Sequence, residues 1–278
     1  MKNFLIRAVT GLLFGVTLIG SMWLGKNCFG ALFLLVTMLS VNEFCTLVIK
    51  HKNATFNKWL AILGGGYLFA AFFAVYHTAA KPVLPIFAPY ITLVVYMFIQ
   101  QVFSTKGSKL DNFAYFTLSQ VYAALPFAML NVLSSGMTEP GESYAFILPL
   151  SIFIFIWCND TGAFCFGCTL GRHKMFERVS PKKTWEGFAG GALTAMGAGV
   201  VLSHFFDAMT LWEWVGMGAT VVATATLGDL IESCMKREMK IKDSGNILPG
   251  HGGMLDRFDS TLLAAPSVIV YLSLIGII

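Results

Sequence analysis

Residues 228–260 read GDLIESCMKREMKIKDSGNILPGHGGMLDRFDS, a densely polar stretch in a chain that is otherwise largely apolar. It contains the carboxylates Asp229, Asp256 and Asp259, several lysines and arginines, and a glycine-rich turn around His251. The chain is 56% hydrophobic and 12% charged, whereas soluble proteins carry about 25% charged residues. Apolar runs long enough to cross a bilayer recur before and after the stretch. The composition therefore predicts an all-α, polytopic membrane protein whose polar chemistry is confined to a few segments.

The apolar runs predict about nine transmembrane helices. The fifth is the most polar, and the sixth is short and ends at Asn159 and Asp160. We divide the chain into residues 1–110 with spans one to four, residues 111–143 with span five and an outer loop, and residues 144–278 with spans six to nine as the catalytic region. The predicted spans are 8–24, 28–48, 59–76, 82–103, 113–133, 144–159, 187–206, 211–231 and 260–278.

The charges of the loops predict the orientation. With the N-terminus in the cytoplasm, only Lys26 and Lys81 of the 19 lysines and arginines fall in outside segments. Because cytoplasmic loops are enriched in lysine and arginine, we expect a cytoplasmic N-terminus and an outside C-terminus in a plasma or inner membrane. A basic inner face attracts nucleotides and lipid phosphates, so we place the active-site cavity there. The alternative is that these charges only set topology.

The first cytoplasmic cluster follows span six. Asp160 is an ionisable group at the end of an apolar helix, which makes it a functional candidate. Ser180 and Pro181 predict a helix start, with Ser180 as N-cap and Pro181 at the first helical position. Such an N-terminus with Lys182 and Lys183 beside it suits a phosphate. A capped helix with topology-setting lysines is the alternative.

The second cluster begins where span eight ends. Asp229, Ser233, Lys236 and Arg237 are spaced i, i+4, i+7 and i+8, so they share one face of a helix, with Glu232 on the adjacent edge. A polar face of this kind lines a cavity rather than facing lipid.

The loop after this helix turns at residues 249–250, and the bare backbone of residues 251–253 is suited to surround phosphate oxygens. Asp256 and Asp259 are three residues apart at the entry to span nine and can point the same way. Ser260 is the predicted N-cap of that span.

Carboxylates without cysteine or histidine partners suit a hard cation such as Mg²⁺, which one or two carboxylates and substrate phosphates hold. Lysines and arginines then neutralise the remaining phosphate charge. These parts predict phosphoryl or nucleotidyl transfer, and their place at the lipid boundary makes one substrate a lipid. We favour phosphate binding or loop structure over proton transfer for His251, since a phosphate monoester is largely ionised near neutral pH. Glu43, an acid inside span two, is interpreted as a polar tie between helices, and the alternative is that it lines the same cavity.

The motif S-x-M-K-R-x4-K-D-x-G-x2-L-P-x-H-G-G-x2-D-R-F-D, residues 233–259, resembles the signature of the phosphatidate cytidylyltransferase (CDP-diacylglycerol synthase) family. The stretch SPKKTWEG, residues 180–187, and Asp160-x-x-Ala163-Phe164 resemble the second block of that family. The family commonly has tyrosine where Phe164 stands.

The resemblance implies that CTP and phosphatidate give CDP-diacylglycerol and pyrophosphate. It further implies Asp229 and Asp256 as metal ligands, Mg²⁺ with an optional monovalent cation beside it, and a homodimer in the bilayer. The catalytic residues are then Asp229, Lys236, Arg237, Asp256 and Asp259, and the substrate-binding residues are Asp160, Ser180, Lys182, Lys183, Thr184, Lys242, Asp243, His251, Gly252, Gly253 and Arg257.

Two other functions were weighed. A different metal-dependent membrane phosphotransferase, such as a CDP-alcohol phosphotransferase, would carry another arrangement of aspartates along a helix. An anion transporter would want polar residues at mid-membrane in several spans and often shows internal repeats, whereas here the charges gather at one interface. Nothing in the sequence indicates a nucleic-acid partner.

Overall fold

The computed structural model describes residues 2–78, 80–135, 144–247 and 252–278, with side chains of the first helix described from Val9 onward. Helices dominate these ranges, which confirms the predicted all-α class. A short antiparallel hairpin of β1 and β2 lies between two of the helices. The elements are α1 Lys2–Trp23, α2 Lys26–Lys52, α3 Lys58–His77, α4 Val83–Phe103, α5 Lys109–Leu118, a π-helical turn Ser119–Ala124, α6 Leu125–Ser134, α7 Ile147–Leu170, β1 Lys174–Phe176, β2 Ser180–Thr184, α8 Trp185–Phe205, α9 Leu211–Glu238 and α10 Leu255–Leu274.

Because α5, the π-helical turn and α6 follow one another without a break, they form one 26-residue rod, Lys109–Ser134. Each of the nine predicted spans then has a helical counterpart in the described ranges. Seven of these helices are long and apolar enough to cross a membrane, and the apolar described part of α1, Val9–Trp23, is shorter. The chain is therefore a multi-pass membrane protein.

Two predicted boundaries are wrong. Span six does not end at Asn159: α7 continues to Leu170, so Asp160 lies inside a helix and not at its end. Ser260 is not an N-cap, because α10 begins at Leu255. Acidic residues are favourable in the first turn of a helix, where the free N–H groups lie, so the polar run containing Asp256 starts the helix rather than preceding it.

The chain divides into two compact units. The N-terminal unit comprises Met1–Phe146 together with Asp243–Phe258. Phe258 anchors the second segment in this unit, since its ring meets Phe127 at 5.2 Å, Phe14 at 5.5 Å and Phe33 at 6.3 Å between centroids. The phenylalanine of the D-R-F-D motif is therefore a buried aromatic anchor.

The C-terminal unit comprises Ile147–Lys242 and Asp259–Ile278. Small residues bring its helices α7 and α8 close together. A methyl group at Gly162 would lie 2.8 Å from the carbonyl oxygen of Gly190, and one at Gly187 would lie 2.9 Å from that of Ala163. This close approach fixes the position of Asp160 relative to the start of α8.

Candidate active site

Three carboxylates meet in the C-terminal unit. One side-chain oxygen each of Asp229, Glu232 and Asp259 lies within 4.8 Å of the others. Glu232 is 2% exposed, and the two aspartates are partly exposed. Like charges this close repel unless a cation lies among them or a proton is taken up. An oxygen-only donor set of this kind fits a hard cation such as Mg²⁺.

Gly228 is the reason that the two aspartates are neighbours. A methyl group at Gly228 would lie 2.6 Å from the backbone oxygen of Asp259 and 3.3 Å from the Cα of Ser260. The α9 and α10 backbones therefore touch at this point, and the next residue of α9 is Asp229. Only glycine permits this contact without a shift of one helix.

Two lysines compensate the negative charge. Lys183 Nζ lies 2.5 Å from Asp229 Oδ2 and donates a hydrogen bond to the carbonyl oxygen of Thr226 at 3.3 Å. Lys236 Nζ lies 2.6 Å from Glu232 Oε2, one helical turn away. Ser233 Oγ donates to Asp229 Oδ1 at 3.3 Å. These contacts agree with the predicted polar face on α9, to which Glu232 now also belongs.

The hairpin brings Lys183 to the cluster. In the antiparallel pair, Lys174 of β1 lies opposite Thr184 of β2. Glu186 holds the base of the hairpin, since its carboxylate accepts hydrogen bonds from the backbone N–H of Arg172 at 3.1 Å and of His173 at 3.2 Å. His173 Nδ1 also lies 2.5 Å from Glu186 Oε1.

The predicted helix start at Ser180 and Pro181 is wrong, because these residues belong to β2. The N-cap of α8 is Thr184, whose Oγ1 accepts a hydrogen bond from Gly187 N at 3.1 Å. Pairing with β1 outweighed the local signal of a serine followed by proline. Because Trp185 N is bonded to His173 O at 3.0 Å, two early N–H groups of α8 are occupied, which leaves the lysines as the better phosphate ligands.

A cavity of about 190 Å³ opens beside Lys183 and Asp229. Its polar wall also contains Asn159, Asp160 and Lys182, and its apolar wall includes two phenylalanine rings and one methionine. Asn159 is 6% exposed, and its Oδ1 has no hydrogen-bond donor within the described part of the chain. The remaining lining residues are Ala163, Phe164, Met175, Thr184, Gly187, Phe188, Ala225, Thr226 and Ser260.

Sequence reasoning did not select Glu232 or Asn159 as site residues. Glu232 follows Asp229 by three positions, so the helical period already placed both on nearby parts of one face. Asn159 is a polar residue within an apolar helix, which is itself a signal of function.

The remaining predicted site residues are described within their own units. In the N-terminal unit, Asp256 Oδ2 accepts hydrogen bonds from Ser244 N and Gly253 N, both at 2.8 Å. Arg237 Nη1 donates to Ile241 O at 3.3 Å. Lys242, Asp243 and Arg257 are exposed, and Ser180 and Gly252 are partly exposed. Residues 248–251, with the predicted turn at Pro249 and Gly250 and the candidate His251, lie outside the described residues.

The fold is that of a multi-pass membrane protein with a cluster of carboxylates and lysines in its C-terminal unit, and the comparison with known families adds the family. The chain belongs to the cytidylyltransferase family, whose model matches residues 5–275. This confirms the resemblance drawn from residues 160–164, 180–187 and 233–259.

Individual relatives are phosphatidate cytidylyltransferases. The chain is 42% identical over 125 residues to that of Staphylococcus aureus strain COL, a match that covers 44% of this chain and 48% of the relative. It is 44% identical over 124 residues to that of Staphylococcus epidermidis strain ATCC 35984, with the same coverage of 44% and 48%. The matched part thus spans about half the length of each of these relatives.

Proposed function

We propose that this protein transfers the cytidylyl group of CTP to phosphatidate and releases pyrophosphate, as part of phospholipid biosynthesis. The observation that carries the proposal is the carboxylate cluster of Asp229, Glu232 and Asp259, compensated by lysines beside a cavity in a membrane-embedded unit. Membership of the cytidylyltransferase family supplies the nucleotide, and the names of the relatives supply the lipid.

In the proposed reaction, an oxygen of the lipid phosphate forms a bond to the α-phosphorus of CTP. The bond between the α-phosphorus and the bridging oxygen breaks, and pyrophosphate leaves with that electron pair. No side chain must remove a proton, because the attacking phosphate is already largely ionised near neutral pH. The protein must hold the negatively charged phosphates of phosphatidate and CTP close together. Lys182 and Lys183 contribute to this by binding phosphate oxygens at the cavity wall.

Asp229 and Asp259 would hold Mg²⁺ with Glu232 beside them, and Asp256 stays the proposed further ligand implied by the family motif. When bound, Mg²⁺ supplies stabilisation of the negative charge that develops on phosphate oxygens. Lys236 holds the side chain of Glu232 in place through their 2.6 Å contact.

The apolar wall formed by Phe164, Met175 and Phe188 suits a flat base or the start of an acyl chain. We also propose a cytoplasmic N-terminus, an outside C-terminus and a homodimer in the plasma or inner membrane. The loop charges support the orientation. The dimer rests on the family resemblance, and light scattering of the purified protein in detergent tests it.

The test is a label-transfer assay. The purified protein is mixed with phosphatidate, Mg²⁺ and CTP labelled in the α-phosphate, and label is followed into the lipid phase. We expect transfer that EDTA abolishes and that ATP, GTP and UTP do not support. Transfer from CTP to a lipid alcohol instead of phosphatidate would favour a different phosphotransferase, and no transfer by folded protein would refute the proposal.

A further inference from the structure

Glu43 is a buried acid of α2, 5% exposed, that the proposed reaction does not use. Within the N-terminal unit its carboxylate lies against the segment that leads into α10. Oε2 accepts a hydrogen bond from Met254 N at 2.8 Å, and Oε1 accepts one from Leu255 N at 3.2 Å. Oε1 also accepts a short hydrogen bond from Ser244 Oγ.

These contacts make Glu43 the cap of α10. The first N–H groups of a helix have no acceptor within the helix and need one from elsewhere. Usually a side chain a few residues earlier supplies it, but here a carboxylate from a helix more than 200 positions away does so. A negative charge at this helix end is also favourable for the helix dipole.

The glycines of the motif fit around the same carboxylate. A methyl group at Gly245 would lie 2.8 Å from Glu43 Oε2, and one at Gly253 would overlap Glu43 Oε1. Both positions therefore exclude larger residues because Glu43 occupies the space. The glycines at these two positions therefore have a structural cause in addition to the proposed binding of phosphate by the backbone.

Asp256 is hydrogen-bonded to residues that also lie against Glu43. It accepts hydrogen bonds from the backbone N–H of Ser244 and Gly253, while Ser244 Oγ donates to Glu43. Ser244 thus contacts both carboxylates directly. Gly252, next to Gly253 in the chain, adopts a positive φ of 88°. A shift of Glu43 must move Gly253, the start of α10 and the side chain of Asp256 together.

We propose that Glu43 is a positioning residue of the enzyme: from α2 it fixes Gly253, the start of α10 and Asp256 without touching either substrate. This inference rests on the proposed function, because Asp256 matters only if the site performs that reaction. The function requires a carboxylate at this position, since the hydrogen-bond partners of Glu43 among the described residues are all donors.

The diagnostic variant is Glu43→Gln, which keeps the size of the side chain. An amide has one acceptor oxygen, so its NH₂ must face either Met254 N–H or the Leu255 and Ser244 donors. We expect amide hydrogen exchange to increase in residues 252–258. We also expect kcat for label transfer to fall by about tenfold to a hundredfold, as small misplacements of catalytic groups do, with KM for CTP nearly unchanged.

Glu213→Gln is the matched control. Glu213 also accepts a hydrogen bond at a helix start, from Thr210 N at 2.6 Å, but it belongs to α9 outside the proposed site. In the Glu213→Gln variant, amide hydrogen exchange should increase only near Thr210, and kcat should stay within about twofold of the unchanged protein. If both variants lose the same activity per folded molecule, Glu43 is an ordinary structural cap and the proposal is overturned.

Ser244→Ala keeps the inference testable if Glu43→Gln does not fold. It removes one donor to Glu43, so we expect a smaller loss of kcat and increased exchange in the same segment. Unchanged kcat and unchanged exchange in a folded Glu43→Gln or Ser244→Ala variant would overturn the proposal. Absence of transfer by the unchanged protein would refute the proposed function instead, and the exchange experiment would still report on the Glu43 contacts.

Discussion

Asp229 forms an ion pair with Lys183 of the hairpin and accepts a hydrogen bond from Ser233 of its own helix. The second contact follows from the sequence, because residues four apart on a helix share a face. The first does not, since it depends on how the chain between α7 and α8 folds. The sequence therefore indicated Lys183 as a phosphate ligand but not as the partner of Asp229.

Lys183→Met tests the role of this lysine. Methionine keeps most of the apolar stem but removes the charge next to Asp229 and the cavity. We expect kcat/KM for phosphatidate and CTP to fall by about tenfold or more, because a charged phosphate ligand is lost. Lys50→Met, at the exposed end of α2, is the control and should leave both constants unchanged. Equal constants in the two variants would reduce Lys183 to a topology signal.

At the scale of elements, the apolar runs predicted the helices well and the connections poorly. Hydropathy identifies the runs that are apolar enough to lie in a membrane, where a helix satisfies the backbone hydrogen bonds. All nine predicted spans accordingly have helical counterparts in the described ranges. The hairpin was missed because Ser180-Pro181 carries a strong local helix-start signal, whereas pairing between Lys174 and Thr184 is a contact between separate segments. The carboxylate of Glu43 at the start of α10 was beyond reach for the same reason.

Gly228→Ala tests the contact between α9 and α10. The added methyl group would lie 2.6 Å from the backbone oxygen of Asp259, so the helices must separate. We expect a loss of about 1–3 kcal/mol in stability, as overpacking causes, seen as a lower Tm in detergent, together with reduced transfer. Gly197→Ala in α8 is the control, because nothing lies within 4 Å of its added methyl group. A Tm and activity equal to the control would contradict the close contact.

At the scale of the whole molecule, the distribution of lysine and arginine predicts the orientation, whereas the helices alone are compatible with either direction. We expect a cysteine introduced at Asn246 to be protected from an impermeant maleimide added outside intact cells. A cysteine at Asp207, in the loop between α8 and α9, should react. The six native cysteines are first replaced, and labelling of permeabilised cells shows that both positions can react. The opposite labelling pattern would contradict the proposed orientation.

The central claim is that the carboxylate cluster around Asp229 performs cytidylyl transfer, and the most direct measurement compares Asp229→Asn with Asp207→Asn in the label-transfer assay. Asparagine keeps the shape of the side chain but removes its charge. We expect Asp229→Asn to lose about 10²–10³-fold in kcat at saturating Mg²⁺, since a charged group at the reacting phosphates is removed, while the exposed Asp207→Asn control keeps full turnover. Full turnover by folded Asp229→Asn would contradict the account.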